Sequence, residues 1–108
     1  MSSTEVESIN SVHILGRVGA PGVEKILPSG DALVEFRIVV DRAKPRSKKR
    51  EVDVLEIAVW SARLRRRALA LQEGQIVEVF GELRRRFWKG SAGVASRWQV
   101  EASELTRR

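Results

Sequence analysis

The sequence has 108 residues, which is enough for one domain with a hydrophobic core and makes a second domain unexpected. Twenty Lys and Arg residues against 14 Asp and Glu residues give a net charge of +6, which favours a polyanionic partner such as a nucleic acid. Cysteine is absent, so disulfides, cysteine-ligated metals and thiol catalysis are excluded. No apolar stretch is long enough to cross a bilayer and residues 1–8 do not resemble a signal peptide, so we expect a cytoplasmic protein.

The apolar pattern predicts five strands and one helix. Apolar residues recur at alternate positions over residues 9–18, 32–41, 52–60, 75–88 and 95–105, and the breaks between these segments are rich in Gly, Pro, Ser and Asp. Ser61 is a suitable N-cap for a helix over residues 62–72, and Gly74 stands where that helix would stop. The order β-β-β-α-β-β is that of an OB-fold. We therefore predict an all-β, five-stranded OB-fold barrel over residues 6–106, with the helix between strands 3 and 4.

Alternation along the third and fourth strands places two tryptophans outside the barrel. Trp60 falls on the face of Val54, Glu56 and Ala58, and its apolar opposite face carries Leu55, Ile57 and Val59. Trp88 falls on the face of Glu78, Phe80, Glu82, Arg84 and Arg86, opposite Val77, Val79, Leu83 and Phe87. Trp98 shares its face with Val100 and Ala102, so we expect it in the core or at its rim.

A basic run separates the second and third strands. Six of its nine residues are cations, namely Arg42, Lys44, Arg46, Lys48, Lys49 and Arg50. Such a run cannot be buried, so it predicts a mobile loop that closes on phosphates, although it is also typical of a solvated surface or a nuclear targeting signal. The predicted nucleic-acid site comprises Trp60, Trp88, Arg84, Arg86, Arg37, Lys44, Arg46, Lys48, Lys49 and Arg50. The arginines of the helix (Arg63, Arg65, Arg66 and Arg67) are expected to be mostly solvated.

These segments resemble the bacterial single-stranded DNA-binding protein family over nearly the whole chain. Residues 10–19 (NSVHILGRVG) are similar to its first strand, residues 73–77 (EGQIV) to its helix exit, and residues 81–88 (GELRRRFW) to its fourth strand, while Pro28 and Gly30 fall in its first hairpin. The resemblance implies sequence-tolerant binding of single-stranded DNA in replication, recombination and repair, with bases stacked on Trp60 and Trp88. It also implies a homo-oligomer, a tetramer or a dimer, for which His13, Leu15 and Phe80 are candidate contacts.

The chain also departs from the family pattern. Val54 stands where the family commonly has another stacking aromatic, and Glu56 where it commonly has a basic residue. The basic run lacks the aromatic that members often carry, so we expect binding that depends more on charge than on stacking. The sequence ends at residues 105–108 (LTRR), without the family's acidic C-terminal tip. It is therefore expected to be a short paralogue rather than the main replicative protein.

Other functions are less well supported by the sequence. With no Cys, one His, no glycine-rich phosphate loop and no paired carboxylates in an apolar setting, we expect neither an enzyme nor a metal or cofactor site. An RNA-binding OB domain would have the same charge and the same exposed rings. A primosome-type interaction protein would use the barrel mainly as a dimeric scaffold for protein partners.

Overall fold

Five strands and one helix follow in the predicted order. The structure, a computed structural model, describes residues 6–43 and 49–108. Its strands are β1 (Val12–Ile26), β2 (Ala32–Asp41), β3 (Val52–Val59), β4 (Ile76–Gly90) and β5 (Gly93–Arg107), and helix α1 (Ala62–Leu69) connects β3 to β4. The strands form a closed barrel in the order β1-β2-β3-β5-β4, in which β3 and β5 are parallel and the other neighbours antiparallel. The predicted five-stranded OB-fold barrel is confirmed.

The core of the barrel is formed by inward-pointing residues of all five strands and by one face of α1. It consists of Val18, Val34, Phe36, Ile38, Ile57, Val59, Leu64, Ala68, Leu71, Val77, Val79, Val100 and Leu105. Of the inward side chains predicted for β3 and for the start of β4, Ile57, Val59, Val77 and Val79 are among them, and Leu55 is partly buried against this core. Because successive side chains of a strand point to opposite faces, this core fixes which residues of each strand lie outside.

Strand β1 is longer than predicted. The Gly19 to Gly22 segment, expected to be a turn, continues β1 along β2 with register shifts between Val18 and Ala20 and between Ala20 and Val23. Gly22 is needed for close approach, because a Cβ there would lie 2.9 Å from the Val34 side chain and 3.1 Å from the Ala68 carbonyl oxygen. Gly and Pro in this segment therefore mark bulges in a bent strand.

Helix α1 begins as predicted and ends earlier. The Ser61 hydroxyl accepts a hydrogen bond from the Leu64 N–H at 3.3 Å, as expected of an N-cap. The helix ends at Leu69, three residues before its predicted end. Gly74 adopts φ +88° and donates its N–H to the Val18 carbonyl at 2.8 Å, which ties the helix exit to β1.

The β4–β5 hairpin extends beyond the barrel. Strand β1 pairs with β4 only from Ile76 to Gly81, and β5 reaches β3 only at Val100 and Glu101. One extra residue, Ser103, interrupts the β5 side of the hairpin, so the alternation of β4 continues unbroken. The hairpin therefore presents two faces to solvent.

The side chain of Asn10, two residues before β1 begins, occupies the edge of β4 beyond the last β1–β4 pair. The Asn10 side-chain amide donates to the Leu83 carbonyl at 2.8 Å, and its oxygen accepts the Leu83 N–H at 2.9 Å. Asn10 thus makes the two hydrogen bonds that a neighbouring strand would make at this position.

The part of the chain that the structure describes contains neither a helix long and apolar enough to span a membrane nor a group of three or more His, Cys, Asp or Glu residues placed to hold a metal ion.

Candidate nucleic-acid interface

Two tryptophans lie on the outer face of the barrel, each close to an arginine. Trp60 follows the end of β3 and is half-buried, and the Arg86 guanidinium carbon is 5.7 Å from its ring centroid. Trp88 on the hairpin is 40% exposed, and the Arg97 guanidinium carbon is 5.1 Å from its ring centroid. Both distances are in the range of a cation–π contact. The predicted exposure of Trp88 is confirmed, whereas Trp60 is less exposed than predicted because Arg86 lies over it.

A polar network fills the surface between the two tryptophans. Arg97 pairs with Glu56 at 2.9 Å, and Arg86 pairs with Glu35 at 3.3 Å. The Gln99 side chain, only 2% exposed, donates to Glu56 at 3.1 Å and also to Glu35. The hydrogen bonds to both carboxylates offset the cost of burying this amide.

The cations of this network keep both carboxylates ionised. Burial alone would raise the pKa of Glu35, but hydrogen bonds from Lys25 and Gln99 outweigh it and leave that pKa below its ordinary value. At Glu56, burial is likewise outweighed by hydrogen bonds from Arg97 and Gln99, so its pKa is also lowered. Glu56, which stands where the family commonly has a basic residue, therefore has its negative charge balanced by Arg97.

Two shallow grooves run through this face. One, of about 300 Å³, is bordered by Trp88, Arg86 and Gln99, and the other, of about 260 Å³, by Arg37, Glu56 and Pro21. Lys25, Glu35 and Arg97 border both grooves, so the grooves adjoin. Together they form a concave surface that extends from Trp88 to Arg37.

Other predicted site residues lie on or near this face. Arg37 is exposed on β2 and lines a groove, and Arg84 on β4 pairs with Glu82 at 2.9 Å. Among the described residues near the two tryptophans on the outer face, the cations outnumber the carboxylates by one: Lys25, Arg37, Arg84, Arg86 and Arg97 against Glu35, Glu56, Glu82 and Glu101.

The basic run is only partly described. Lys44, Arg46 and Lys48 lie outside the described residues. Arg50 pairs with Asp41 through two hydrogen bonds of 2.5 and 3.0 Å, and these lower the pKa of Asp41. Arg42 pairs with Asp53 at 2.9 Å and with Glu51 at 3.3 Å, and Lys49 is exposed. Asp41, Glu51 and Asp53 thus pair with the first and last arginines of the run.

The helix arginines were expected to be mostly solvated, and Arg65 is an exception. It is half-buried, and its guanidinium donates to the Trp60 carbonyl oxygen. Arg63 and Arg67 pair with Glu104 on β5 at 3.5 and 3.4 Å. Arg65 therefore fixes the backbone at Trp60, a contact for which alternation and charge give no signal.

Three hairpin residues are not where the sequence placed them. Trp98, expected in the core or at its rim, is 58% exposed, and Phe87 and Leu83, expected on the core side, are 62% and 43% exposed. All three do lie on the predicted side of their strands, the side of Val79 and Val100, so only their predicted burial is wrong. They are exposed because β4 and β5 run past the barrel, where no other described strand covers them.

Comparison with known proteins identifies the family. Residues 9–107 match the model of the single-strand binding protein family. The chain belongs to this family. The resemblance seen in the sequence is thereby confirmed.

Two relatives named single-stranded DNA-binding proteins match at low sequence identity. The chain is 26% identical to a single-stranded DNA-binding protein of Streptococcus mutans and 27% identical to single-stranded DNA-binding protein 1 of Streptococcus agalactiae serotype III. Each match covers 92% of this chain but only 66% of the relative's length. Among solved structures, the Plasmodium falciparum SSB complex with ssDNA matches with a TM-score of 0.73 and 24% identity, over 97% of this chain and 99% of that one. This likeness establishes the shared fold.

Proposed function

We propose that this protein binds and protects single-stranded DNA, with little dependence on sequence, along the outer face between Trp60 and Trp88. The observation that carries the proposal is the pairing of each tryptophan with an arginine on one surface. An indole ring stacks on any base, and each such stack contributes about 1–3 kcal/mol. A guanidinium beside the ring can bind the adjacent phosphate, so the two groups suit neighbouring parts of one nucleotide.

Family membership supports this proposal, since the S. mutans and S. agalactiae relatives are named single-stranded DNA-binding proteins. We extend it to a cytoplasmic, nucleoid-associated role in replication, recombination or repair. The carboxylates on the binding face refine the mechanism. A phosphate that reaches Arg86 or Arg97 must displace Glu35 or Glu56, so binding exchanges one ion pair for another. We expect Lys44, Arg46, Lys48, Lys49 and Arg50 to add phosphate contacts, and thus a steep salt dependence.

We also propose that the protein is a homo-oligomer, a dimer or a tetramer. Leu15 is 50% exposed and Phe80 is 38% exposed, and the His13 ring stacks on Phe80 with centroids 4.1 Å apart. Leu15 and Phe80 are thus exposed apolar residues on β1 and β4, beside the pair that His13 makes with Glu78, and we infer that a second copy packs there. Sedimentation analysis of the native chain and of Phe80→Glu tests this, because the charge should dissociate the assembly. A native protein that sediments as a monomer would contradict it.

A tryptophan-fluorescence titration tests the DNA-binding proposal. The native protein is titrated with poly-dT, poly-rU and a duplex oligomer, each at two salt concentrations. We expect quenching by dT that weakens steeply at the higher salt, because phosphate contacts release counterions. Unchanged fluorescence with dT at low salt contradicts the proposal. Stronger binding of rU than of dT would favour an RNA-binding function, and weak binding of every polymer would favour a scaffold for protein partners.

A further inference from the structure

The second face of the β4–β5 hairpin is exposed, and the DNA-binding face already described does not include it. The cross-strand pairs Leu83–Val100, Arg85–Trp98, Phe87–Ser96 and Lys89–Val94 point away from Trp88 and Arg97. We call Leu83, Arg85, Phe87, Lys89, Val94, Ser96 and Trp98 the second hairpin face. Each of its large apolar residues is exposed, from 43% at Leu83 to 76% at Val94.

Arg85 lies between two aromatic rings at the centre of this face. Its guanidinium carbon is 5.0 Å from the Phe87 ring centroid and 5.8 Å from that of Trp98. Its Nε and Nη2 atoms donate to the Ser96 hydroxyl at 3.1 and 3.0 Å. The guanidinium and the two rings are therefore held in one arrangement before any ligand binds. This preorganisation lowers the conformational-entropy cost of binding.

The charge of this face differs from that of the tryptophan face. Neither Arg85 nor Lys89 takes part in an ion pair among residues 6–43 and 49–108. The seven residues of the second hairpin face include two cations and no carboxylate. A phosphate can therefore bind a cation of this face without first breaking an ion pair with a carboxylate.

We propose that the second hairpin face binds a further segment of single-stranded DNA, with bases stacked on Phe87 and Trp98 and a phosphate on Arg85. This inference rests on the proposed function, because it assumes that the same DNA strand also binds the tryptophan face. A two-stranded ribbon is narrow, with about 5 Å between its strands. A flexible single strand of DNA can therefore continue around the edge of the hairpin from one face to the other.

The same charges argue against a second copy of this chain as the occupant. Two copies that packed through this face about a twofold axis would bring like surfaces together. Two Arg85 and two Lys89 side chains would then be buried with no carboxylate from either face to pair with them. Buried unpaired cations are strongly unfavourable, whereas a nucleic acid supplies one phosphate for each base it stacks.

Trp98 itself can report on this site. The chain has three tryptophans, so the variant Trp60→Phe/Trp88→Phe keeps Trp98 as its single indole while retaining aromatic rings on the first face. We expect its emission to be quenched by oligo-dT of about 35 nucleotides, longer than one OB-fold covers. Binding is measured in parallel by the anisotropy of labelled dT. Retained binding with unchanged Trp98 emission overturns the inference and leaves the proposed function standing, whereas no dT binding by the native protein removes both. Quenching of Trp98 emission that increases with protein concentration in the absence of DNA would identify a second copy as the occupant.

A pair of substitutions gives an independent test. We expect Phe87→Ala/Trp98→Ala to lower the affinity for the long oligomer at least about fivefold. Its affinity for an oligomer of about 8 nucleotides should stay within about twofold, since one OB-fold can cover that length. Leu69→Ala, at an exposed apolar residue of α1 outside both faces, is the control and should change neither affinity. An equal loss on both lengths, or a loss on neither, contradicts the inference. Circular dichroism checks that the variants fold, as expected for exposed side chains.

Discussion

Replacing Glu56 by Gln should strengthen DNA binding, because Glu56 neutralises an arginine of the binding face. Its Oε1 accepts from Arg97 Nη1 at 2.9 Å, and its Oε2 from the same nitrogen at 3.2 Å. A glutamine keeps a carbonyl oxygen that can accept from Gln99 but carries no charge. The substitution therefore removes the competitor for Arg97 while the surrounding hydrogen bonds can persist.

The size of the effect follows from the exposure of the pair. The Arg97 side chain is 44% exposed and that of Glu56 27%, and ion pairs near the surface contribute up to about 1 kcal/mol. Releasing Arg97 should thus increase affinity up to about fivefold. One additional phosphate contact steepens the salt slope by about 0.7, so a fourfold rise in salt should cost the variant roughly 2.6 times more affinity than the native protein.

The assay is a titration of labelled oligo-dT at several salt concentrations, followed by anisotropy. Glu73→Gln is the matched control, because it makes the same change in net charge at an exposed residue between α1 and β4 that lines neither groove. The Glu56 variant should exceed this control in both affinity and salt slope. An affinity gain equal to the control's would mean that only net charge matters. Weaker binding would show that Glu56 holds Arg97 in its productive position.

Four further outcomes follow from the same surface. Trp88→Ala should lose about 1–3 kcal/mol of dT binding and keep its thermal midpoint within a few degrees, whereas an unfolded variant would make Trp88 structural. Replacing the cations of residues 44–50 by serine should reduce the salt slope by about 0.7 for each phosphate that is no longer bound, and an unaltered slope would exclude the run from binding. Gln99→Leu should lower the free energy of unfolding in urea by about 1–3 kcal/mol, because two carboxylates are deprived of a buried donor, and an unchanged midpoint would contradict that role. The pKa values of Glu35 and Glu56 are lowered on folding, so their stabilisation is present above about pH 4.5 and disappears as the pH falls below it. Urea midpoints measured from pH 7 to pH 3 should fall more for the native chain than for Glu35→Gln.

The sequence predicts the barrel well because its core obeys a simple period. Alternating apolar residues identify all five strands, and Ser61 identifies the start of α1. The errors lie where tertiary contacts override local signals. The Gly19 to Gly22 segment is typical of a turn, yet close packing on Val34 and α1 makes it part of β1.

The candidate site is less predictable because it depends on register between strands. Alternation places Trp88 and Arg86 on one face, but it cannot show that Arg97 lies beside Trp88 or that Gln99 joins two carboxylates. Those contacts come from the pairing of β4 with β5, which local sequence does not specify. The exposure of Trp98 depends on where the barrel ends, and alternation carries no information on that length.

The hydrogen bonds of Asn10 bear on whether another molecule can pair with the edge of β4. A long hairpin that leaves its barrel offers unpaired backbone groups to which a strand of another molecule could add, the first step of edge-to-edge aggregation. At Leu83 those groups are already satisfied by one side chain, which cannot propagate a sheet as a strand would. Asn10 therefore blocks the addition of another strand to β4 at Leu83, while both faces of the hairpin remain exposed to solvent.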